Sequence, residues 1–176
     1  NAASHGQQEM VRELLKRGAS VDLPNSLGVT ALMNAAYYDH LSTVLVLLRH
    51  SANPDLQDDE GFTALMGAAY RPDEACVKAL LRAKASPDLQ DTLGQTALMG
   101  AAYDGHEACV QALLQAQAKP DLQTNTCFTA LMNAAFNGHG TCVRTLLRAK
   151  ANTELLDKDG DTALQCAELK GHTSIA

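Results

Sequence analysis

The stretch Thr96-Ala97-Leu98-Met99-Gly100-Ala101-Ala102-Tyr103 occurs four times in this chain, unchanged at residues 63–70 and with small changes in the other two copies. Its opening threonine recurs at a constant spacing of 33 residues, and no insertion or deletion breaks that spacing. The recurring threonines are Thr30, Thr63, Thr96, Thr129 and Thr162. A strict period of this length predicts an array of stacked structural repeats instead of one globular core.

The period divides residues 1–176 into a single array. Residues 1–24 match the end of a repeat and residues 157–176 match the beginning of one, so both are predicted to be partial repeats. The four full repeats are predicted at residues 25–57, 58–90, 91–123 and 124–156. Because stacked arrays ordinarily need polar capping repeats, we expect the chain to be a segment of a longer protein.

Each repeat predicts two short helices. The threonine is a favourable N-cap, and the Ala-Leu-Met segment after it favours a helix. Gly105 suits the left-handed C-cap that ends the first helix of its repeat. Val110, Leu113 and Leu114 then form the apolar stripe of a second helix. One leucine in each following loop is expected to anchor that loop to the stack: Leu56, Leu89, Leu122 and Leu155.

Charge and cysteine usage exclude several classes of function. The formal net charge of −6 argues against general affinity for nucleic acid or anionic membranes, because both require clustered Lys and Arg. No apolar run approaches the roughly 18 residues of a membrane span. Cys76, Cys109 and Cys142 lie one period apart, too far for disulfides if neighbouring repeats are about 10 Å apart. Free cysteines suit a reducing compartment and predict a cytoplasmic or nuclear protein.

With these features, the sequence resembles the ankyrin-repeat family over effectively its whole length. It shares the 33-residue period, the Thr, the Leu, the Ala-Ala and the late Leu-Leu of that family. It also has the Gly-His pair, at Gly105-His106 and Gly138-His139. The resemblance implies an all-α solenoid of stacked helix-turn-helix units with hairpin-like finger loops. It also implies a binding function without catalysis.

The sequence departs from the family pattern in ways that carry their own expectations. Alanine replaces the usual proline after the threonine, and a methionine replaces the usual histidine, as at Met99. The methionine loses the hydrogen bonds that the resemblance implies for the histidine, so we expect less rigid loops. Arg71-Pro72-Asp73 replaces a Gly-His turn, and we expect that turn to differ. Cys127 stands where the other fingers have glycine, and we expect a distorted finger there.

All the aromatic residues map to the face that resembles the binding surface of the family, in the concave groove and on the fingers. They are Tyr37, Tyr38, Phe62, Tyr70, Tyr103, Phe128 and Phe136. Aromatic side chains are enriched at binding hot spots, so this face is the predicted partner-binding site. The alternative is that each ring packs against the neighbouring repeat, and the two interpretations are compatible. Gly67 and Gly100 in the first helices would either leave room beside the rings or allow tight helix packing.

Acidic residues accompany the aromatic ones. The candidate binding carboxylates are Asp104, beside Tyr103, and the finger residues Asp58, Asp59, Glu60 and Asp91. Arg71 is the one basic residue predicted on the same face. Such a surface favours a partner that carries Lys or Arg, through cation–π contacts and electrostatic steering. For any single aspartate, the alternative is an ordinary role as a turn residue.

The sequence therefore predicts a module that binds a protein or peptide partner. Two other interpretations stay open: a spacer or assembly segment of a longer scaffold, channel or enzyme, and a reader of basic tails that include methylated lysine. Four of the six histidines fall at one position of the repeat, too far apart to converge on a metal: His40, His106, His139 and His172. No carboxylate pair or phosphate-binding loop stands out from the repeat itself. No catalytic residue, metal site or cofactor is predicted.

Overall fold

The computed structural model of the protein describes residues 2–172, and this range contains ten α-helices. In chain order they are α1 (Gln8–Lys16), α2 (Ala31–Tyr37), α3 (Leu41–Arg49), α4 (Ala64–Ala69), α5 (Ala75–Arg82), α6 (Ala97–Tyr103), α7 (Glu107–Gln115), α8 (Ala130–Phe136), α9 (Gly140–Arg148) and α10 (Ala163–Leu169). We call the even-numbered helices, which follow the threonines, inner helices and the odd-numbered ones outer helices. None of the described helices is both long enough and apolar enough to cross a membrane.

The helices form two parallel layers. Each inner helix packs against the next inner helix along the chain, from α2 to α10, and each outer helix packs against the next outer helix, from α1 to α9. Within a repeat, the inner helix packs against the outer helix that follows it, as α6 does against α7. The predicted all-α solenoid of stacked helix-turn-helix units is therefore confirmed.

The inner helices begin and end as the sequence predicts. The Thr96 hydroxyl accepts a hydrogen bond from the Met99 amide at 3.3 Å, and the other recurring threonines do the same in their repeats. At the other end of α6, Gly105 has a φ of +75°, and the His106 amide donates to the Ala101 carbonyl at 2.9 Å. Glycine at this left-handed position closes the helix without a Cβ clash.

The turn between α4 and α5 differs from the others, as predicted. Pro72 stands where Gly105 and Gly138 adopt a positive φ, and its ring fixes φ near −65°. The left-handed turn is therefore impossible there, and α5 begins at Ala75, one residue later in the repeat than α7 does at Glu107.

Small and aliphatic side chains fill the core. The paired alanines of the inner helices are fully buried, with 0% exposure for Ala68, Ala69, Ala101 and Ala102. Their small size lets neighbouring inner helices approach closely, while leucines such as Leu98 and Leu113 fill the space between the two layers. The loop leucines pack partly buried against this core, as predicted: Leu56, Leu89, Leu122 and Leu155.

The fingers are hairpin-like turns between an outer helix and the next inner helix. In each one, the first residue donates its amide to the carbonyl of the fifth, as in Asp91 N to Gln95 O at 3.0 Å. The fingers are residues 25–29, 58–62, 91–95, 124–128 and 157–161. Neighbouring fingers also bond to each other, since the Thr92 amide donates to the Glu60 carbonyl at 2.9 Å.

A ladder of glutamine side chains connects the fingers. Gln90 Nε2 donates to the Gly94 carbonyl of its own finger at 2.7 Å and to the Gln123 carbonyl of the next repeat at 3.0 Å. Gln57 and Gln123 make the same pair of hydrogen bonds one repeat earlier and one repeat later. These hydrogen bonds link neighbouring fingers through a side chain at a different position of the repeat from the methionine that replaces the family's histidine.

Two further ladders connect successive repeats. Asp88 Oδ1 accepts from the Lys119 amide at 2.8 Å, and Asp22, Asp55 and Asp121 accept equivalent bonds in their repeats. His139 Nε2 lies 2.9 Å from the Tyr103 carbonyl, and His40 and His106 are bonded in the same way. These histidines are structural links between repeats.

The Cys127 finger keeps its turn despite the missing glycine. Cys127 has a φ of +62°, and its amide donates to the Thr124 carbonyl at 2.8 Å, as Gly94 does to Asp91 at 2.9 Å. The expectation of a distorted turn is therefore wrong. The bond from this finger to the next is longer than its equivalents, at 3.3 Å from the Lys158 amide to the Thr126 carbonyl against 2.9–3.1 Å between the other fingers.

Replacing Cys127 with glycine should stabilise the protein. A non-glycine residue at positive φ costs roughly 1–2 kcal/mol, of which the greater entropy of glycine in the unfolded chain cancels about half. We expect Cys127→Gly to raise the free energy of unfolding by about 0.5–1 kcal/mol, measured by urea denaturation. A loss of stability would show that the Cys127 side chain packs favourably between the fingers.

Removing one rung of the glutamine ladder should have the opposite effect. Gln90→Ala deletes two hydrogen bonds that link adjacent fingers, and we expect it to lower the free energy of unfolding by about 1–2 kcal/mol. Gln115→Ala, at an exposed position of α7 without a side-chain hydrogen bond in the described structure, is the matched control and should change stability little. Equal effects of the two changes would contradict a role for the ladder.

Candidate functional site

The aromatic side chains lie outside the core and fall into two groups by exposure. Tyr37, Tyr38 and Tyr103 are exposed, at 42%, 50% and 52%. The others are half-buried, and the three phenylalanines pack against the core: Tyr70, Phe62, Phe128 and Phe136. We call the surface formed by all seven rings the aromatic face. The two sequence-based interpretations therefore apply to different rings, since some pack between repeats and others remain open to solvent.

Five of the residues predicted for the site surround one depression of about 360 Å³. They come from three consecutive repeats: Tyr37, Phe62, Tyr70, Arg71 and Asp104. The Phe62 and Tyr70 rings stack with their centroids 6.1 Å apart. Tyr38 lies beside this depression, with its ring edge-to-face on Tyr37 at 5.2 Å.

Arg71 is held by its own chain. Its Cζ lies 4.7 Å from the centroid of the Tyr37 ring, which is a cation–π contact, and its Nε donates to the Tyr37 carbonyl at 2.6 Å. In the histidine ladder this carbonyl would be bonded by residue 73, which is Asp73 and not histidine. Arg71 therefore supplies the missing link between repeats, so its predicted role as a partner contact has a structural alternative.

The same cation–π arrangement recurs near the end of the array. Lys170 Nζ lies 4.4 Å from the centroid of the Phe136 ring, and Phe136 meets Phe128 edge-to-face at 6.1 Å. Sequence analysis missed Lys170. The signal was available, because Arg71 and Lys170 both lie 34 positions after the ring that they cover.

The two central rings lack such a covering cation. The residue 34 positions after Tyr70 is Asp104, and the residue 34 positions after Tyr103 is Asn137. Among residues 2–172, only Tyr37 and Phe136 have a cation above the ring. At Tyr70 the repeat pattern thus places a carboxylate in a position where two other repeats place a positive charge.

The electrostatic surroundings of Tyr70 are correspondingly negative. Burial, followed by the carboxylates of Asp91 and Asp104, raises the pKa of the Tyr70 hydroxyl. Burial and nearby negative charge both disfavour the phenolate. The same negative charge would favour a cation placed beside the ring.

The glycines of the inner helices serve both of the purposes proposed from sequence. A Cβ added to Gly100 would lie 3.2 Å from Cζ of the Tyr70 ring, so this glycine leaves room for the ring. A Cβ added to Gly67 would lie 3.3 Å from the Tyr37 amide nitrogen, so that glycine allows close backbone packing. Asn133 occupies the equivalent place in α8, with its Nδ2 buried and without a hydrogen-bond partner in the described structure.

The finger carboxylates divide into structural and unengaged ones. Asp58 Oδ1 accepts from the Glu60 and Phe62 amides at 3.0 and 2.8 Å, and Asp91 makes the equivalent bonds in its finger. The Glu60 carboxylate lies 3.4 Å from the Thr92 hydroxyl. Asp59 has no side-chain hydrogen bond within residues 2–172. The turn interpretation therefore holds for Asp58 and Asp91, whereas the Asp59 carboxylate is exposed and has no such structural role.

Four of the five cysteine thiols are buried in the core. Burial raises the pKa of both Cys76 and Cys109 to about 12, with nearby carboxylates as the next cause, and Cys142 and Cys166 shift in the same direction. All five cysteines are free thiols, and only Cys127 is partly exposed. Among the described residues, no group of His, Cys, Asp and Glu is arranged to hold a metal ion.

This two-layered stack of helix pairs with hairpin fingers defines a repeat protein of the solenoid class. Comparison with family profiles gives the family: the profile of ankyrin repeats (3 copies) matches residues 1–91, 36–126, 65–155 and 98–176. The chain therefore belongs to the ankyrin-repeat family, whose members are generally modules for protein–protein interaction. No individual curated protein matches the chain.

Thiol labelling provides a check on this arrangement. We expect iodoacetamide at mildly alkaline pH to modify native Cys127 first, because a buried thiol with a raised pKa has little reactive thiolate. The remaining four cysteines should react only after denaturant is added. Peptide mass spectrometry reads out each site, and Cys127→Ser is the control that should leave the native protein almost unlabelled. Early modification of Cys109 would contradict the described packing.

Proposed function

We propose that this ankyrin-repeat array binds a protein or peptide segment on its aromatic face and receives a Lys or Arg side chain of that segment at Tyr70. The observation that carries this proposal is that Asp104 stands at the position from which a cation covers the ring in two other repeats. Tyr37 and Phe136 are covered by Arg71 and Lys170 of the same chain, while Tyr70 has a carboxylate at the equivalent position.

The chemistry of the depression supports a cationic ligand. A ring stacked on Phe62 presents its edge and part of its face, and Asp104 and Asp91 supply the negative charge that a Lys or Arg requires. A cation held between an aromatic ring and a carboxylate gains from both interactions, at about 0.5–2 kcal/mol for the ring alone. The exposed ring of Tyr103 extends the same surface beyond the depression.

The exposed acidic groups of the finger at residues 58–62 would act mainly on the rate of association. Asp59 and Glu60 lie on a finger, and exposed charges of this kind raise the rate of encounter with an oppositely charged partner. Because exposed charges are screened within about 10 Å at 0.1 M salt, we expect affinity to fall as salt rises. Free, buried cysteines fit the proposal of a cytoplasmic or nuclear location.

The proposal can be tested by giving Tyr70 the covering cation that other repeats have. Asp104→Arg should place a guanidinium over the ring and exclude the cation of the partner. Peptides selected from a random displayed library on the unmodified protein should be enriched in Lys or Arg, and their affinity for Asp104→Arg should fall at least about tenfold. Asp159→Arg makes the same charge change on an exposed finger away from Tyr70 and is the control.

The outcomes separate the alternative functions. Equal affinity of the selected peptides for both variants would contradict a site at Tyr70. A library that yields no specific peptide would favour the spacer or assembly role. Replacing the critical lysine of a selected peptide with trimethyl-lysine tests the narrower role of a methyl-lysine reader, which requires tighter binding of the methylated form. Tyr103→Ala should weaken binding at little cost in stability, because its ring is exposed.

A further inference from the structure

Two leucines on α3 depart from the repeat pattern on the side of the stack formed by the outer helices. The later repeats have polar residues or glycine at these places: Glu74, Glu107 and Gly140 for Leu41, and Lys78, Gln111 and Arg144 for Leu45. Leu45 is 37% exposed, so burial in the core does not explain its apolar character. Leu41 is partly buried and packs against the core. Because the later repeats form the same core without a leucine at either position, the pair of leucines needs a further explanation.

The leucines form the floor of a groove between α3 and α5. Leu41, Leu45 and Leu48 lie at i, i+4 and i+7, on one stripe of α3, and face alanines of α5 such as Ala79 across a depression of about 500 Å³. This stripe is about 10 Å long, or two helical turns. A second depression of about 310 Å³ lies between α5 and α7 and shares Lys78 and Arg82 with the first, which extends the surface across a third outer helix.

The rim of the groove is basic. Arg49, Lys78 and Arg82 line it, and neither α3 nor α5 contains an acidic residue. Lys78 is paired with Glu74, but within residues 2–172 Arg49 and Arg82 form no ion pair and no side-chain hydrogen bond. A positively charged rim on a chain of net charge −6 is a local feature that complements a negative partner.

We propose that this groove is a second docking site, for an amphipathic helix of a protein partner with acidic residues beside its apolar stripe. An apolar floor two turns long matches a helix that presents apolar residues at i, i+3, i+4 and i+7. The unpaired arginines match carboxylates along the edges of that stripe, because arginine forms bidentate bonds with carboxylates. The site is separate from the aromatic face and does not depend on the function proposed for that face.

The test uses substitutions taken from the neighbouring repeats. The double variant Leu41→Glu, Leu45→Lys introduces the residues that the next repeat carries at these positions, so the fold should tolerate it. Leu93→Thr is the matched control: it removes a leucine that is 64% exposed on a finger and inserts the residue of the following finger. Circular dichroism and urea unfolding verify that both variants fold. If the double variant does not fold, the single variant Leu45→Lys is used in its place.

The probe is a fluorescein-labelled model helix of about 18 residues, with leucines at the spacing above and glutamates on both flanks. We expect fluorescence anisotropy to show saturable binding to the unmodified protein and to Leu93→Thr, and at least about tenfold weaker binding to the double variant. A peptide with lysines in place of the glutamates should bind at least about tenfold more weakly, and added salt should reduce the difference.

Three results would overturn the proposal. The first is equal affinity of the acidic helix for the unmodified protein and the double variant. The second is equal affinity of the acidic and basic probes, which would leave the arginines without a role. The third is a concentration-dependent dimer that Leu41→Glu, Leu45→Lys abolishes, which would assign the groove to a second copy of this chain. Asp104→Arg should leave binding of the acidic helix unchanged. A failure of the proposal for this groove is therefore distinguishable from a failure of the proposal for the Tyr70 site.

Discussion

The whole molecule depends on each repeat being paired with its neighbours. Its helices contain only six to nine residues, and helices of that length are unstable in water on their own. Stacking buries the alanine and leucine faces, and the side-chain ladders then fix the register of one repeat against the next. Neither contribution is available to an isolated repeat, so stability is a property of adjacent pairs.

Because the core and ladder residues alone hold the repeats together, other positions are available for binding. The residues of the ladders and the core recur in nearly every repeat, because each repeat must make the same contacts. Positions outside this set can differ from one repeat to the next without loss of the stack. Asp104 in place of a covering cation, and Leu45 in place of a polar residue, are differences of this kind. The aromatic face lies on the side of the inner helices and fingers, whereas the groove between α3 and α5 lies on the layer of outer helices.

The period alone was enough to predict the fold, because it specifies helix starts, turns and stacking at once. The N-caps, the loop leucines and the altered turn at Pro72 followed from local chemistry. The glutamine ladder could not be predicted in this way. A glutamine in a loop is expected to be exposed unless the fingers are known to lie side by side. For the same reason the sequence predicts Arg71 as a partner contact but gives no indication of its bond to the Tyr37 carbonyl of the preceding repeat. The shared spacing of 34 positions from ring to cation is present in the sequence, but only the stacked repeats show that it is a contact distance.

The regularity of the ladders has a consequence for the history of such a chain. Each rung joins residues 31, 33 or 36 positions apart, so it refers only to the repeat next to it. An in-frame duplication of a 33-residue gene segment would give the new copy a complete set of partners on both sides. A binding position would be copied with it, so duplication followed by substitution can multiply sites or erase them one at a time. In this sense Leu41 and Leu45 mark one copy that has diverged from its siblings.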